Sequence, residues 1–373
     1  MAKKLIILGA GAIGRGYLPW VFPPDDCDLV FVDKDPRIIS RMKERGRYVS
    51  FRVRDNQLES REFAVLAAFS PAEFRAAEHL EAVACFVNVG PRNVGSAAEL
   101  MRGSPVPLVL CENEPKTVDI VKTVVGHERV FFAVPDVIAS NTAPAHLLAH
   151  DPISVVTEDG TLFVDEGLGD ALGGDIKLVS IGQLLNTQWA AKLYLHNTPH
   201  CIAAYLGAYV GATYVHEAMA VPRIYAAVRG AMDEMLEAMR RRSGIPMEFL
   251  HWYAEKEMAR FACTLLYDPV FRVAREPLRK LEVHGRLIGA AQICLSCGVV
   301  PTNLIIGITA ALLFNNQSDP DHYLGALRRA LPRELFNRYI LGLRGGEPLD
   351  HILRERIDDI VADLETLSHL SAP

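Results

Sequence analysis

The chain has 373 residues, half of them hydrophobic and 23% charged, with a formal net charge of -6 at pH 7. That length exceeds what one hydrophobic core normally supports, so two domains are expected. No long basic block is present, and the run Arg240-Arg241-Arg242 is short and lies beside a predicted helix end, which excludes nucleic acid as an expected partner.

From the N-terminus, residues 4–8 read as a buried strand that runs into Gly9-Ala10-Gly11-Ala12-Ile13-Gly14-Arg15-Gly16 rather than into a signal-peptide core. In such a loop the first glycine makes the tight turn. The second lets backbone approach a pyrophosphate, and the third permits close helix–strand contact. A second strand, 29–32, ends at Asp33, placed to accept both ribose hydroxyls and to repel a 2′-phosphate, which favours NAD. Lys34 and Arg37 follow closely and soften that preference. Further strands are expected at 63–67, 82–87, 107–110 and 130–134, separated by helical patterns. Val89-Gly90-Pro91 and Cys111-Glu112-Asn113-Glu114 each follow one of these strands, where open sheets bind ligands. Asn113 is a candidate for reaching the substrate or for tying down its loop, and Glu112 and Glu114 are alternative helix caps. Residues 153–157 and 161–164 read as a hairpin around Glu158-Asp159-Gly160 that extends the sheet.

From about residue 186 the hydrophobic period shifts toward 3.6, with helices expected at 186–195, 199–212, 214–219, 221–242, 246–263, 286–297 and 302–315. The first two carry Lys192, Asn197 and His200 among Leu, Tyr and Ala, with Lys192 the only Lys or Arg between Lys177 and Arg223. On an α-helix the offsets turn through about 500° and about 300°, so the three fan across one broad side. Pro199 suits a first helical turn and suggests that Asn197 sits at a junction between two helices. Further on, Arg272-Val273-Ala274-Arg275-Glu276-Pro277-Leu278-Arg279-Lys280-Leu281, with Arg286, forms the densest cationic segment. It is a candidate phosphate or carboxylate site, the alternative being a surface network with Glu276 and Glu282. His196, His216, His251 and His284 share no metal-ligand spacing and read as packed or exposed residues; on an α-helix His196 points about 100° away from Asn197. The apolar stretch 288–314 is broken by Gln292, Pro301, Thr302 and Asn303, so no membrane span is expected and the location is read as cytoplasmic. Seven scattered cysteines form no disulfide framework, and the lone Cys294-Leu295-Ser296-Cys297 reads as buried thiols, with no metal site.

Taken together, these residues resemble the polyol-specific long-chain dehydrogenases. The resemblance is carried, in order, by Gly9 to Gly16, Cys111-Glu112-Asn113, Lys192-x4-Asn197-x2-His200, Ala203-Ala204-Tyr205-Leu206-Gly207, and Arg275-Glu276-Pro277-Leu278-Arg279-Lys280-Leu281. It implies an α/β fold, with an N-terminal Rossmann-type doubly wound sheet domain over 1–180 and a mostly α-helical substrate domain over 181–373. It also implies a metal-free NAD enzyme that interconverts D-mannitol 1-phosphate and D-fructose 6-phosphate, with a free polyol or a hexuronate as the alternative substrate. Catalysis is then expected from Lys192, Asn197, His200 and Asn113. Cofactor contacts are expected at Gly9, Gly11, Ala12, Ile13, Gly14, Asp33, Val89, Gly90 and Glu112, and substrate-phosphate contacts at Arg275, Arg279, Lys280 and Arg286. The expected partner is a small molecule, and members are often monomers. Three positions depart from the pattern: Ala12 stands for the usual asparagine, Ala191 for arginine, and Pro199 for glycine.

Overall fold

The computed structural model describes residues 2–22, 27–112, 114–140, 143–164, 168, 188–242 and 244–370, the last four without side chains. The chain divides into two compact units, Met1–Leu185 with Leu265–Tyr267, and Asn186–Thr264 with Asp268–Pro373. The expected boundary at 180/181 lies outside the described residues.

In the first unit the strands in chain order are β1 (Lys3–Leu8), β2 (Cys27–Val32), β3 (Arg47–Arg54), β4 (Gln57–Ala64), β5 (Ala67–Phe69), β6 (Ala84–Val87), β7 (Leu108–Leu110), β8 (Val130–Asp136), β9 (Ala139–Ser140), β10 (Val156–Glu158) and β11 (Thr161–Val164). Seven of them form one sheet in the order β11-β8-β7-β6-β1-β2-β5. All its pairings are parallel except β11 on β8. Counted along the chain, the six parallel strands lie third-second-first-fourth-fifth-sixth, the doubly wound Rossmann order, with its switch point between β1 and β6. Leu5, Ile6, Ile7 and Leu8 are buried on both faces because helices cover a parallel sheet on each side, which is why this strand reads as a continuous apolar run.

The segment expected as one strand at 63–67 is divided between two sheets. β4 ends at Ala64 and pairs antiparallel with β3, whereas β5 joins the main sheet beside β2. The β3–β4 turn places Asp55 and Asn56 at φ 49° and 56°, the left-handed pair a tight hairpin requires. β4 buries only Phe63, so its hydrophobic signal is weak. β10 and β11, expected to pair as a hairpin, also part company. β10 pairs with β3 and β9 in a second sheet of order β4-β3-β10-β9, and only β11 extends the main sheet.

Helices build the second unit. A π-helical turn, Lys192–Asn197, runs directly into the α-helix Thr198–Tyr209. That helix packs against Pro222–Arg242 and Thr302–Leu313, and these two also pack on each other. Apolar residues surround Thr198–Tyr209, with Cys201 to Leu206 all buried, so it forms the centre of the unit. No helix among the described residues is long and apolar enough to cross a membrane.

Candidate active site

In the first unit, four groups of expected cofactor residues follow directly on four neighbouring strands. Gly9 follows β1, Asp33 follows β2, Val89 and Gly90 lie just beyond β6, and Glu112 lies just beyond β7. All therefore gather at the C-terminal edge of the sheet around its switch point. Gly9 has φ +94°, and a Cβ on it would stand 2.5 Å from the Asn88 carbonyl oxygen. A Cβ on Gly14 would stand 2.0 Å from the Gly9 oxygen, so any side chain there would open the loop. Asp33 Oδ2 accepts from the Ala10 N–H at 2.6 Å and Oδ1 from the Asp35 N–H at 2.8 Å, so the expected ribose acceptor also pins the glycine loop. Glu112 Oε1 accepts from the Gly90 N–H at 2.8 Å, joining the two outer loops. Burial pushes its carboxyl up to about 7. The narrow glycine cradle and the acid beside it fit a dinucleotide. Asn113 lies outside the described residues.

The helix expected after the glycine loop opens instead as a π-helical turn, Ala12–Tyr17. Pro19, two residues on, has no N–H for the Arg15 carbonyl four residues back; the Tyr48 hydroxyl donates to that carbonyl at 2.7 Å. The second π turn has the same arrangement. Lys192–Asn197 is followed by Thr198 and Pro199, and the Thr198 hydroxyl contacts the Leu193 carbonyl at 3.1 Å and the Arg286 carbonyl at 2.6 Å. Proline forbids the regular i→i-4 bond to Leu195, and the backbone widens to accommodate its ring.

Widening changes which side chains share a face. A π-helix advances about 80° per residue against about 100° in an α-helix, so His196 and Asn197 fall about 40° to either side of Lys192. Three further α-helical residues return His200 to within about 20° of Lys192. Lys192, His196, Asn197 and His200 thus project on one narrow face, and all four are buried. The junction at Asn197 is as expected. The broad fan expected for a continuous α-helix is corrected to a tighter set. The Asn197 Nδ2 is buried without a hydrogen-bond partner among the described residues.

His196, expected to be mere packing, belongs to this cluster. Its ring centroid lies 5.0 Å from that of His200, and His200 stacks on Phe261 at 5.0 Å with an interplanar angle of 3°. Each imidazole is backed by a buried acid. His196 Nδ1 bonds Glu257, which also accepts from Arg260. His200 Nε2 lies 2.9 Å from Asp268 Oδ2, an approach too oblique for a good hydrogen bond, and Arg272 bonds the other Asp268 oxygen. Against burial, which acts to raise it, Arg272 and His200 hold the Asp268 carboxyl below the usual carboxylate range. The sequence signals were His196 four residues before His200, and the acids Glu257, in a helix, and Asp268, in the loop that follows it, far along the chain.

Burial holds the His196 imidazole down to about 4, because the Glu257 charge that opposes this shift is shared with Arg260. Unfolded histidine titrates near 6.5, so between about 6.5 and about 4 the unfolded chain binds more protons than the folded one. This contribution to stability is complete above that window and is lost as pH falls through it. In His196→Gln the melting temperature should therefore fall less steeply from pH 6.5 to 4 than in the wild type. Equal slopes by scanning calorimetry would remove His196 as the source.

The expected phosphate cations separate into different environments. Arg275 is 67% exposed, and Arg279 Nε lies 3.4 Å from Glu276 Oε2. Lys280 is 3% exposed, and its amine donates to the carbonyls of Val273, at 2.6 Å, and Arg275. Burial, then Arg286, lowers that amine to about 7. Its Nζ lies 5.4 Å above the Tyr205 ring, and Arg286 is tied through its carbonyl to Thr198, so this segment packs on the helix that carries His200.

Fold and site together define a two-unit dehydrogenase: a Rossmann-type sheet with a nucleotide cradle, and a helical unit that presents an amine, an amide and imidazoles. Residues 187–323 match the family described as the mannitol dehydrogenase C-terminal domain. The chain is 28% identical over 339 residues to a mannitol-1-phosphate 5-dehydrogenase of Caldanaerobacter subterraneus subsp. tengcongensis, covering 85% of this chain and 87% of the relative. A relative of the same name from Arthrobacter sp. is 29% identical, covering 97% of this chain and all of its own. Among solved structures, the Pseudomonas fluorescens mannitol 2-dehydrogenase ternary complex with NAD and D-mannitol shares the fold, with a TM-score of 0.75 at 16% identity over 100% of this chain and 95% of that one. Residues 187–323 thus belong with the mannitol dehydrogenase C-terminal domain, the chain as a whole is similar to polyol (mannitol) dehydrogenases, and it is an oxidoreductase.

Proposed function

We propose that the protein interconverts D-mannitol 1-phosphate and D-fructose 6-phosphate with NAD and without a metal. One observation carries this reading: the buried face of Lys192, Asn197 and His200, whose Asn197 amide has a donor with no partner among the described residues. The name shared by the curated relatives supports the phosphorylated substrate.

In this reading the backbone of Gly9, Gly11, Ala12, Ile13 and Gly14 lies along the pyrophosphate, Asp33 takes the ribose hydroxyls, and Val89, Gly90 and Glu112 flank the cofactor. NAD, when bound, supplies the hydride acceptor. In the oxidising direction the uncharged Lys192 amine accepts the proton of the reacting hydroxyl; in the reducing direction the ammonium polarises the ketone and returns that proton. Asn197 donates N–H to the oxygen as it becomes negative, and Asn113 is assigned the same task. His200, held by Asp268 and Phe261, orients a neighbouring hydroxyl. Arg279 and Arg286 are the first choice for the phosphate, with Arg275 at the rim. The Lys280 amine already serves two carbonyls and acts chiefly by shaping the segment.

Initial rates with fructose 6-phosphate, fructose and fructuronate, each with NADH and NADPH, test the proposal. Fructose 6-phosphate with NADH should be fastest. A faster rate with fructose or fructuronate would replace the phosphorylated substrate by a free polyol or a hexuronate. Arg279→Ala should lower kcat/KM for fructose 6-phosphate by about tenfold to a hundredfold, the value of a charged hydrogen bond. The rate with fructose should be nearly unchanged, and equal losses on both would make Arg279 structural.

A further inference from the structure

The C-terminal part of the helical unit holds a cavity of about 330 Å³ lined by none of the residues assigned above. Four arginines face it: Arg328 on the helix Leu324–Ala330, its neighbour Arg329, Arg333 at the start of Arg333–Tyr339, and Arg354 on Pro348–Leu370. Phe336 and Leu353 supply an apolar wall.

The acids around the cavity are already engaged. Arg333 pairs with Asp358, and Arg354 lies 2.7 Å from Asp350. Arg328 and Arg329 have no ion-pair partner among the described residues. The Arg328 Nε is buried and makes no hydrogen bond, which distinguishes it from an ordinary solvated face, where water would serve that donor. Burial, with Arg329 and Arg333 alongside, lowers the Arg328 pKa from its ordinary value, so like charges are held together where an opposite charge is missing.

We infer that this cavity is a second anion site, distinct from the catalytic substrate site, that binds a small phosphate ester. The guanidinium groups of Arg328 and Arg329 supply forked donors that match phosphate oxygens, and the Phe336–Leu353 wall receives the organic part. The volume is at the lower end of the range for small-molecule pockets and suits a compact monoester. The site is independent of which polyol the enzyme oxidises.

The test uses the full chain saturated with NADH, so that the cofactor cradle is filled, and titrates AMP and inorganic phosphate calorimetrically. AMP should bind saturably and more tightly than inorganic phosphate. The double variant Arg328→Gln, Arg329→Gln should weaken AMP at least tenfold while its melting temperature and turnover stay at wild-type values. Arg279→Ala should retain the AMP binding, which separates this site from the proposed substrate phosphate. Unchanged AMP affinity in the double variant, or loss of AMP binding in Arg279→Ala, would overturn the site. Inorganic phosphate binding as tightly as AMP would overturn its assignment to an ester.

Discussion

Lys192→Ala should lower kcat by about a hundredfold to ten-thousandfold, the usual contribution of a positioned acid–base group. The Lys192 side chain is buried on the face it shares with Asn197 and His200, so no solvent-borne base takes its place at comparable position. The NADH dissociation constant, measured by fluorescence titration, should stay within about twofold because the residues proposed to hold the nucleotide all belong to the other unit. If KM for the sugar is also little changed, the lost interaction is one made mainly in the transition state. Wild-type turnover in the variant would remove the amine from the mechanism. An unchanged kcat with a large rise in KM would reassign Lys192 to substrate binding.

Glu257→Ala is expected to have the largest effect on stability. The Glu257 side chain is fully buried and bonds both His196 and Arg260. Removing it leaves the Arg260 guanidinium charged and nearly buried without its carboxylate, a change that costs about 3–5 kcal/mol. For a unit of this size each kcal/mol lowers the melting temperature by about 2–4 °C, so a fall of roughly 6–20 °C is expected. Replacing both partners, as in Glu257→Leu with Arg260→Met, should recover much of the loss, since apolar residues of similar volume need no buried counter-charge. A shift below about 2 °C for Glu257→Ala would show that the ion pair contributes little. Failure of the double replacement to recover stability would assign the loss to other contacts of these side chains.

The nucleotide unit was largely legible because its signals are local. Leu5 to Leu8 form a continuous apolar run, as a parallel strand covered on both faces must, and Gly9 and Gly14 stand where backbone atoms come within reach of a Cβ. Asp33 could be located from its strand alone. The β3–β4 hairpin was not legible, because β4 buries only Phe63. The separation of β10 from β11 also went unread, since it depends on pairing with β3 and β8, remote in sequence.

In the helical unit, residue identity was enough to single out Lys192, Asn197 and His200 as chemistry-bearing side chains, because an amine, an amide and an imidazole amid Leu, Tyr and Ala have little purpose on a solvated face. Their shared narrow face was a matter of tertiary structure. Pro199 removes one backbone donor and the helix widens there, while the neighbouring Thr198 hydroxyl reaches the Arg286 carbonyl of a distant segment. The same dependence raised His196 from packing residue to neighbour of His200, through Glu257 and Phe261, which lie some sixty residues further along the chain. Local composition therefore determined which groups this protein has for chemistry, while long-range packing decided which of them stand together, because hydrogen-bond partners are chosen by proximity in space.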